Sequence, residues 1–222
     1  ERADIILAGL AVTAELLDLA DARELPVSAF GLREGLLLEM AGASPPAPSD
    51  PLRLRREFVE RCHGYRRHVE HVRHLSLTLF EELGPLLGCE PDDRPLLEAA
   101  ALVHDVGQLV SYRRHQRHSF QLIMHADRLP LSPRDRLLVA LLSRYHRKTG
   151  PRRKHAEFAS LERDDQALVR RVAALLRVAD GLDRGHTAAV ETVRIHVDDA
   201  RVTLRVAPRL VGADLSLECW GA

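Results

Sequence analysis

Apolar positions recur at helical spacing through most of the chain and switch to strict alternation near its end. Ile5, Ile6, Leu10, Leu16 and Leu17 predict an amphipathic helix over 1–20. A short apolar run from Leu25 to Phe30 and a helix opened by Gly31-Leu32-Arg33-Glu34-Gly35 follow. From Leu52 to about Ala188 the pattern is helical throughout, with helices expected at 52–61, 64–83, 94–105, 115–127, 133–147 and 164–183. Asp93 with Pro95, Ser132-Pro133 and Asp164 supply the starts. Val193, Ile195 and Val197 then alternate with Arg194, His196 and Asp198, and Val202, Leu204 and Val206 repeat the pattern past a tight turn at Asp198-Asp199. Leu215, Leu217 and Cys219 make a third alternation, so a small antiparallel sheet is expected over 189–222.

This pattern divides the chain. Residues 1–42 read as αβα-like, and one short strand cannot satisfy its own edges, so a larger sheet upstream is expected to own it. Four prolines between Ala41 and Pro51 make 43–51 a semi-rigid linker. The helical domain spans 52–188, and the fold class is mainly α.

Ten of the twelve histidines fall between His63 and His155, and helical phase separates them. His68 shares a stripe with Val72, Leu75 and Leu79, whereas His71 lies on the flank and His74 turns to solvent. His104 continues the stripe of Leu97, Ala100 and Ala101, with Asp105 beside it and Gly107 expected to take the positive φ that ends a helix. His146 follows Val139 and Leu142, and Asp180 closes the stripe of Val169, Val172, Ala173 and Leu176. A buried carboxylate left alone commonly costs several kcal/mol, so Asp180 is expected to be paired, neutral or metal-bound. His68, His104, Asp105 and Asp180 could together give two imidazoles and two carboxylates to one divalent ion of the Mg, Mn, Fe, Co or Ni kind. His118 and His146 could hold a second ion or a phosphate, and phase excludes neither His115 nor His125. The plainer alternative is a set of hydrogen-bonded core histidines with capping or arginine-paired aspartates.

Charge adds one element. Lys plus Arg and Asp plus Glu both number 32, so no global field favours a nucleic-acid duplex or a membrane surface. Locally, Arg114 and Arg117, then Arg144, Arg147 and Lys148, sit in basic stretches that also carry inward histidines, which predicts a cationic rim suited to a polyanionic ligand. Three cysteines without a CxxC fit a reducing compartment. The longest apolar run, Leu137 to Leu142, falls far short of the roughly 20 residues that span a bilayer, so a cytoplasmic protein is expected.

The order His68, His104-Asp105, Asp180 resembles the H…HD…D signature of HD-domain metal-dependent phosphohydrolases. Further stretches widen the match: Glu1-Arg2-Ala3-Asp4 leading to Gly9, Gly31 to Gly35, Ala99 to Gly107, His118-Ser119, Arg144 to Lys148 and Leu176 to Arg184. Together they resemble the C-terminal half of the exopolyphosphatase/guanosine pentaphosphate phosphohydrolase (Ppx/GppA) family, over essentially the whole chain. The resemblance implies two actin-like domains followed by a helical HD-like domain and a small C-terminal module. Residues 1–42 would be the last piece of the second actin-like domain, and the main Mg²⁺-dependent cleft would lie upstream. It implies release of terminal phosphate from polyphosphate or guanosine pentaphosphate, and a homodimer. For the HD-like domain it implies either a divalent metal, with Asp105 orienting a water and Arg144, Arg147 and Lys148 on the phosphate, or a non-catalytic polyphosphate-binding and dimerisation module. An HD-type phosphohydrolase acting on guanosine polyphosphates is the third reading.

Overall fold

The computed structural model describes residues 3–22, 55, 56, 58, 59, 66–126, 129–198 and 201–222. The chain divides into two units, 1–47 and 48–222. In the first, helix α1 (Ala3–Leu19) covers the predicted amphipathic stretch, with Leu10 and Leu16 exposed and Leu17 half-buried. The strand expected at 25–30, the helix expected from Gly31 and the linker at 43–51 lie outside the described residues.

The second unit is a helical bundle with a two-stranded antiparallel sheet. Its helices are α2 (Arg66–Leu87), α3 (Arg94–Val103), α4 (His115–Met124), α5 (Pro133–Tyr145), the short α6 (Ala156–Ala159) and α7 (Arg163–Gly181). Strands β1 (Val190–Asp198) and β2 (Arg201–Pro208) and helix α8 (Ser216–Gly221) complete it. Of the helix expected at 52–61, the described Arg55, Arg56, Phe58 and Val59 are helical.

Helix α3 is the axis of the unit. Its Leu96, Leu97 and the run Ala99 to Val103 are all buried, so the helix is surrounded except along the side that carries Glu98, which pairs with Arg73. Its alanines let α2, α5 and α7 approach closely, and α7 also packs on α2 and α5. Leu75, Leu79, Leu138, Leu141, Leu142, Val169, Val172 and Leu176 fill the space between them.

The starts are partly as expected. Ser132 Oγ accepts from Asp135 N at 3.1 Å and caps α5, with Pro133 in the first turn. At α3 the side chain of Asp93 does not cap the helix; its carboxylate accepts from Glu90 N at 3.0 Å and closes the preceding 3-10 turn, Pro91–Asp93. Helix α7 starts one residue before Asp164, which sits in the first turn where the helix dipole favours an acid.

Strand β1 pairs with β2 in the register Val193↔Val206, Ile195↔Leu204 and Asp198↔Arg201, with an irregularity between Val190 and Thr192. Burial tapers along β1 from Val193 through Ile195 to the exposed Val197 as the strand leaves α2. The third expected strand is not formed: Leu215 precedes, and Leu217 and Cys219 lie in, the helix α8. Its buried residue is Glu218, while Leu217 and Cys219 are exposed. Helix α8 sits close against the end of α7, where a Cβ on Gly181 would strike Gly221 and Ala222. Among the described residues no helix is long and apolar enough to cross a membrane.

Candidate metal centre

Two helices end on a histidine, and in both the end aims the ring. His104 caps α3 and its Nδ1 donates to Ala101 O at 2.8 Å; His146 caps α5 and its Nδ1 donates to Ser143 O at 2.6 Å. Each imidazole satisfies a carbonyl that the last turn leaves unpaired. His115, at the start of α4, repeats the device on Tyr112 O at 3.0 Å. His68, in the first turn of α2, donates its Nδ1 to the Asp183 carboxylate at 2.8 Å. With Nδ1 donating in all four rings, Nε2 is the nitrogen that each ring turns inward, able to ligate a cation once it carries no proton.

The four Nε2 atoms converge. His68 and His104 bring theirs to 3.3 Å, and His115 and His146 to 3.1 Å. Asp180, in the last turn of α7, places Oδ1 3.5 Å from both His68 Nε2 and His104 Nε2. Asp105 lies between the two pairs, with Oδ2 3.6 Å from His68 Nε2 and Oδ1 3.1 Å from His115 Nε2 and 3.6 Å from His146 Nε2. All six side chains are buried. Two imidazole lone pairs facing each other at 3.1 to 3.3 Å repel unless a proton or a cation stands between them.

The turn that carries Asp105 is shaped by its neighbours. Asp105 takes φ −102° and ψ 2°, the bridge region, and opens a 3-10 turn, Val106–Leu109. Ser119 on α4 locks this turn, its Oγ donating to His104 O at 2.5 Å and accepting from Gly107 N at 2.9 Å. Gly107 is required for space and not for a left-handed backbone, because a Cβ there would strike His115 O and Ser119 N. The expectation of a positive φ at Gly107 is thus corrected.

Charge follows from this geometry. Burial raises the cost of ionising Asp105, but His104, His115 and His146 outweigh it and hold the carboxyl below the usual carboxylate range. Asp180 and Asp183 are likewise held low against burial, Asp180 by His104 and His68 and Asp183 by His68 and His71. Burial pushes His68 down, but Asp180 and Asp183 carry it up to about 9. Burial pushes His146 down to about 4. Asp105, Asp180 and Asp183 are thus held as carboxylates inside the cluster of imidazoles.

A divalent ion fits these residues. Asp105 Oδ1 is a buried acceptor with no hydrogen-bond donor. Among the described residues, donor atoms fall within 4.8 Å of one another in three groups: His68, His104 and Asp180; His104, Asp105 and His146; and His68, Asp105 and His186. Such a nitrogen and oxygen set suits Mn, Fe, Co or Ni.

His68, His104, Asp105, His146 and Asp180 therefore come together. His118 is half-buried and, like His115, belongs to none of these groups, while His115, one turn earlier on α4, brings its Nε2 to 3.1 Å from Asp105 Oδ1. Sequence reasoning placed His71 on the flank, yet it is buried, with Nε2 donating to Val190 O at 2.7 Å and Nδ1 3.3 Å from Asp183. It missed Asp183 altogether; the signal was a second aspartate three residues past Asp180.

The cationic residues line two cavities. Arg114, Arg117, Arg144, Arg147 and Lys148 border one of about 140 Å³, together with Tyr145 and His155. A second, of about 300 Å³, is lined by His146 and Asp180 together with Arg147, Lys148, Arg177 and Arg184. Arg147 and Lys148 belong to both. Arg144 is partly committed, donating to Glu157 at 3.0 Å.

Residues 56–220 match Ppx/GppA phosphatase, domain III. A guanosine-5'-triphosphate,3'-diphosphate pyrophosphatase of Vibrio vulnificus is 24% identical over 230 residues, 98% of this chain and 44% of that protein. The same-named protein of Aliivibrio fischeri is 31% identical over 150 residues, covering 65% of this chain and 29% of its own length. That of Pseudoalteromonas translucida is 24% identical over 150 residues, 66% of this chain and 30% of its own. The chain thus spans less than half the length of these relatives. With the helical domain and its sheet matched nearly end to end, the chain belongs to the Ppx/GppA phosphatase family.

Proposed function

We propose that this domain holds a divalent metal ion at His68, His104, Asp105 and Asp180, with His115 and His146 beside it for a second ion or a phosphate, so that positions stay open for water. It would offer the adjoining cationic cavities to a phosphate chain, as the C-terminal region of a hydrolase that releases terminal phosphate from inorganic polyphosphate or guanosine pentaphosphate. The observation that carries this reading is four imidazoles held with Nε2 inward around two buried carboxylates. Four nitrogens to two carboxylates favour Mn, Fe, Co or Ni over Mg. When bound, such an ion supplies Lewis acidity and a water of lowered pKa.

The chain's own residues do the rest. Arg147 and Lys148, on the ridge shared by the two cavities, hold phosphate oxygens beside His146 and Asp180. Arg114, Arg117 and Arg144 add charge in the first cavity, and Arg177 and Arg184 in the second. Asp105 Oδ1, a buried acceptor without a donor, orients the attacking water. The relatives' names, which specify a guanosine-5'-triphosphate,3'-diphosphate pyrophosphatase, support a phosphoanhydride as the substrate class.

The test is calorimetric titration of tripolyphosphate into the chain loaded with Mn²⁺ and into the chelated chain, with phosphate release followed in parallel. Binding that strengthens with Mn²⁺ and release that stops on chelation support the proposal. Binding indifferent to chelation, with no release, replaces it with the non-catalytic phosphate-binding module.

A further inference from the structure

His186 lies beyond the last helix of the bundle, in the loop between α7 and β1, and is the one member of the three donor groups outside the predicted set. Its ring stacks on that of His68 with centroids 3.7 Å apart and planes 1° from parallel. Its donor nitrogen lies within 4.8 Å of donors on His68 and Asp105, the carboxylate whose Oδ1 is buried without a donor.

The loop is built to hold it there. His186 N donates to Asp183 O at 2.9 Å, and Ala188 N donates to Asp183 Oδ1 at 2.7 Å. Both His186, at φ 54°, and Ala188, at φ 53°, take the left-handed backbone that residues with a side chain rarely adopt. The other oxygen of Asp183 accepts from His68. One carboxylate therefore fixes both rings of the stack, His68 directly and His186 through the loop.

We propose that His186 is a further ligand of the metal centre, sharing Asp105 at a position beside the one that His68 holds, since the two stacked rings keep their lone pairs in parallel planes. This rests on the metal-binding reading above. It makes the loop at 183–188 part of the site and gives the centre a donor that is half-exposed.

The test is titration with CoCl₂ followed by visible absorption, on the wild-type chain and on His186→Asn. Asparagine tolerates the left-handed backbone, and an unchanged melting temperature without metal confirms that the loop is kept. The proposal expects the Co²⁺ bands to change in position and intensity, with Kd weakened by about tenfold or more. Superimposable spectra and equal Kd overturn it and reduce His186 to a stacking partner of His68. A wild-type chain that takes up no Co²⁺ overturns the metal centre as well, so the two failures are told apart by the wild type alone.

Discussion

Asp183 Oδ2 accepts the Nδ1 proton of His68 at 2.8 Å across 115 residues of sequence, and this bond decides which nitrogen His68 turns toward Asp180 and Asp105. A carboxylate behind an imidazole raises its basicity and locks its tautomer. Replacing Asp183 with Asn keeps an acceptor for Ala188 N but removes the charge. The expected result is metal affinity lower on the order of 10 to 100-fold with no ligand removed, read by Mn²⁺ titration of Asp183→Asn against wild type.

Ser119 serves the site without facing it. Its Oγ joins His104 O to Gly107 N inside the buried turn that presents Asp105. Ser119→Ala leaves the Gly107 N–H buried and unpaired, which costs about 1–3 kcal/mol. Urea unfolding should show that loss as a lower midpoint at unchanged slope.

Gly107→Ala acts on the same turn through space. The added Cβ meets backbone atoms of His115 and Ser119, which cannot rotate away as a flexible side chain could. A destabilisation of about 1–3 kcal/mol or more is expected, together with loss of metal affinity, because relief requires moving the turn that seats His115. Thermal unfolding with and without Mn²⁺ separates the two effects. A variant of native stability would refute the close approach.

Lys148 tests the cationic ridge. It sits at φ 60°, so Lys148→Gly removes the charge while keeping the backbone. Tripolyphosphate affinity should fall by roughly threefold to tenfold, modest because the side chain is exposed, and its dependence on salt should flatten. Calorimetry at two ionic strengths reads both.

The helical bundle was legible because its helices carry long, strongly periodic stripes. His68, His104, His146 and Asp180 were legible because each continues such a stripe, so their burial follows from phase alone. The choice between His115 and His118 was not, since both share a face of α4 and only the turn Val106–Leu109 decides which ring meets Asp105. Asp183 and His186 were out of reach for another reason: they act from the end of α7 and the loop beyond it, where no period assigns an inside. The alternation at Leu215, Leu217 and Cys219 misled because it covers little more than one helical turn, too short to tell a strand from the helix observed there.

Elemental analysis of the chain purified without chelator, beside Asp105→Asn, tests the centre most directly. Asparagine preserves the shape of Asp105 while removing the charge shared by both imidazole pairs. Near-stoichiometric Mn, Fe, Co or Ni in the wild type, sharply reduced in a variant whose circular dichroism is unchanged, is the predicted result. A wild-type chain that carries no metal and takes none up on dialysis against Mn²⁺ contradicts the account.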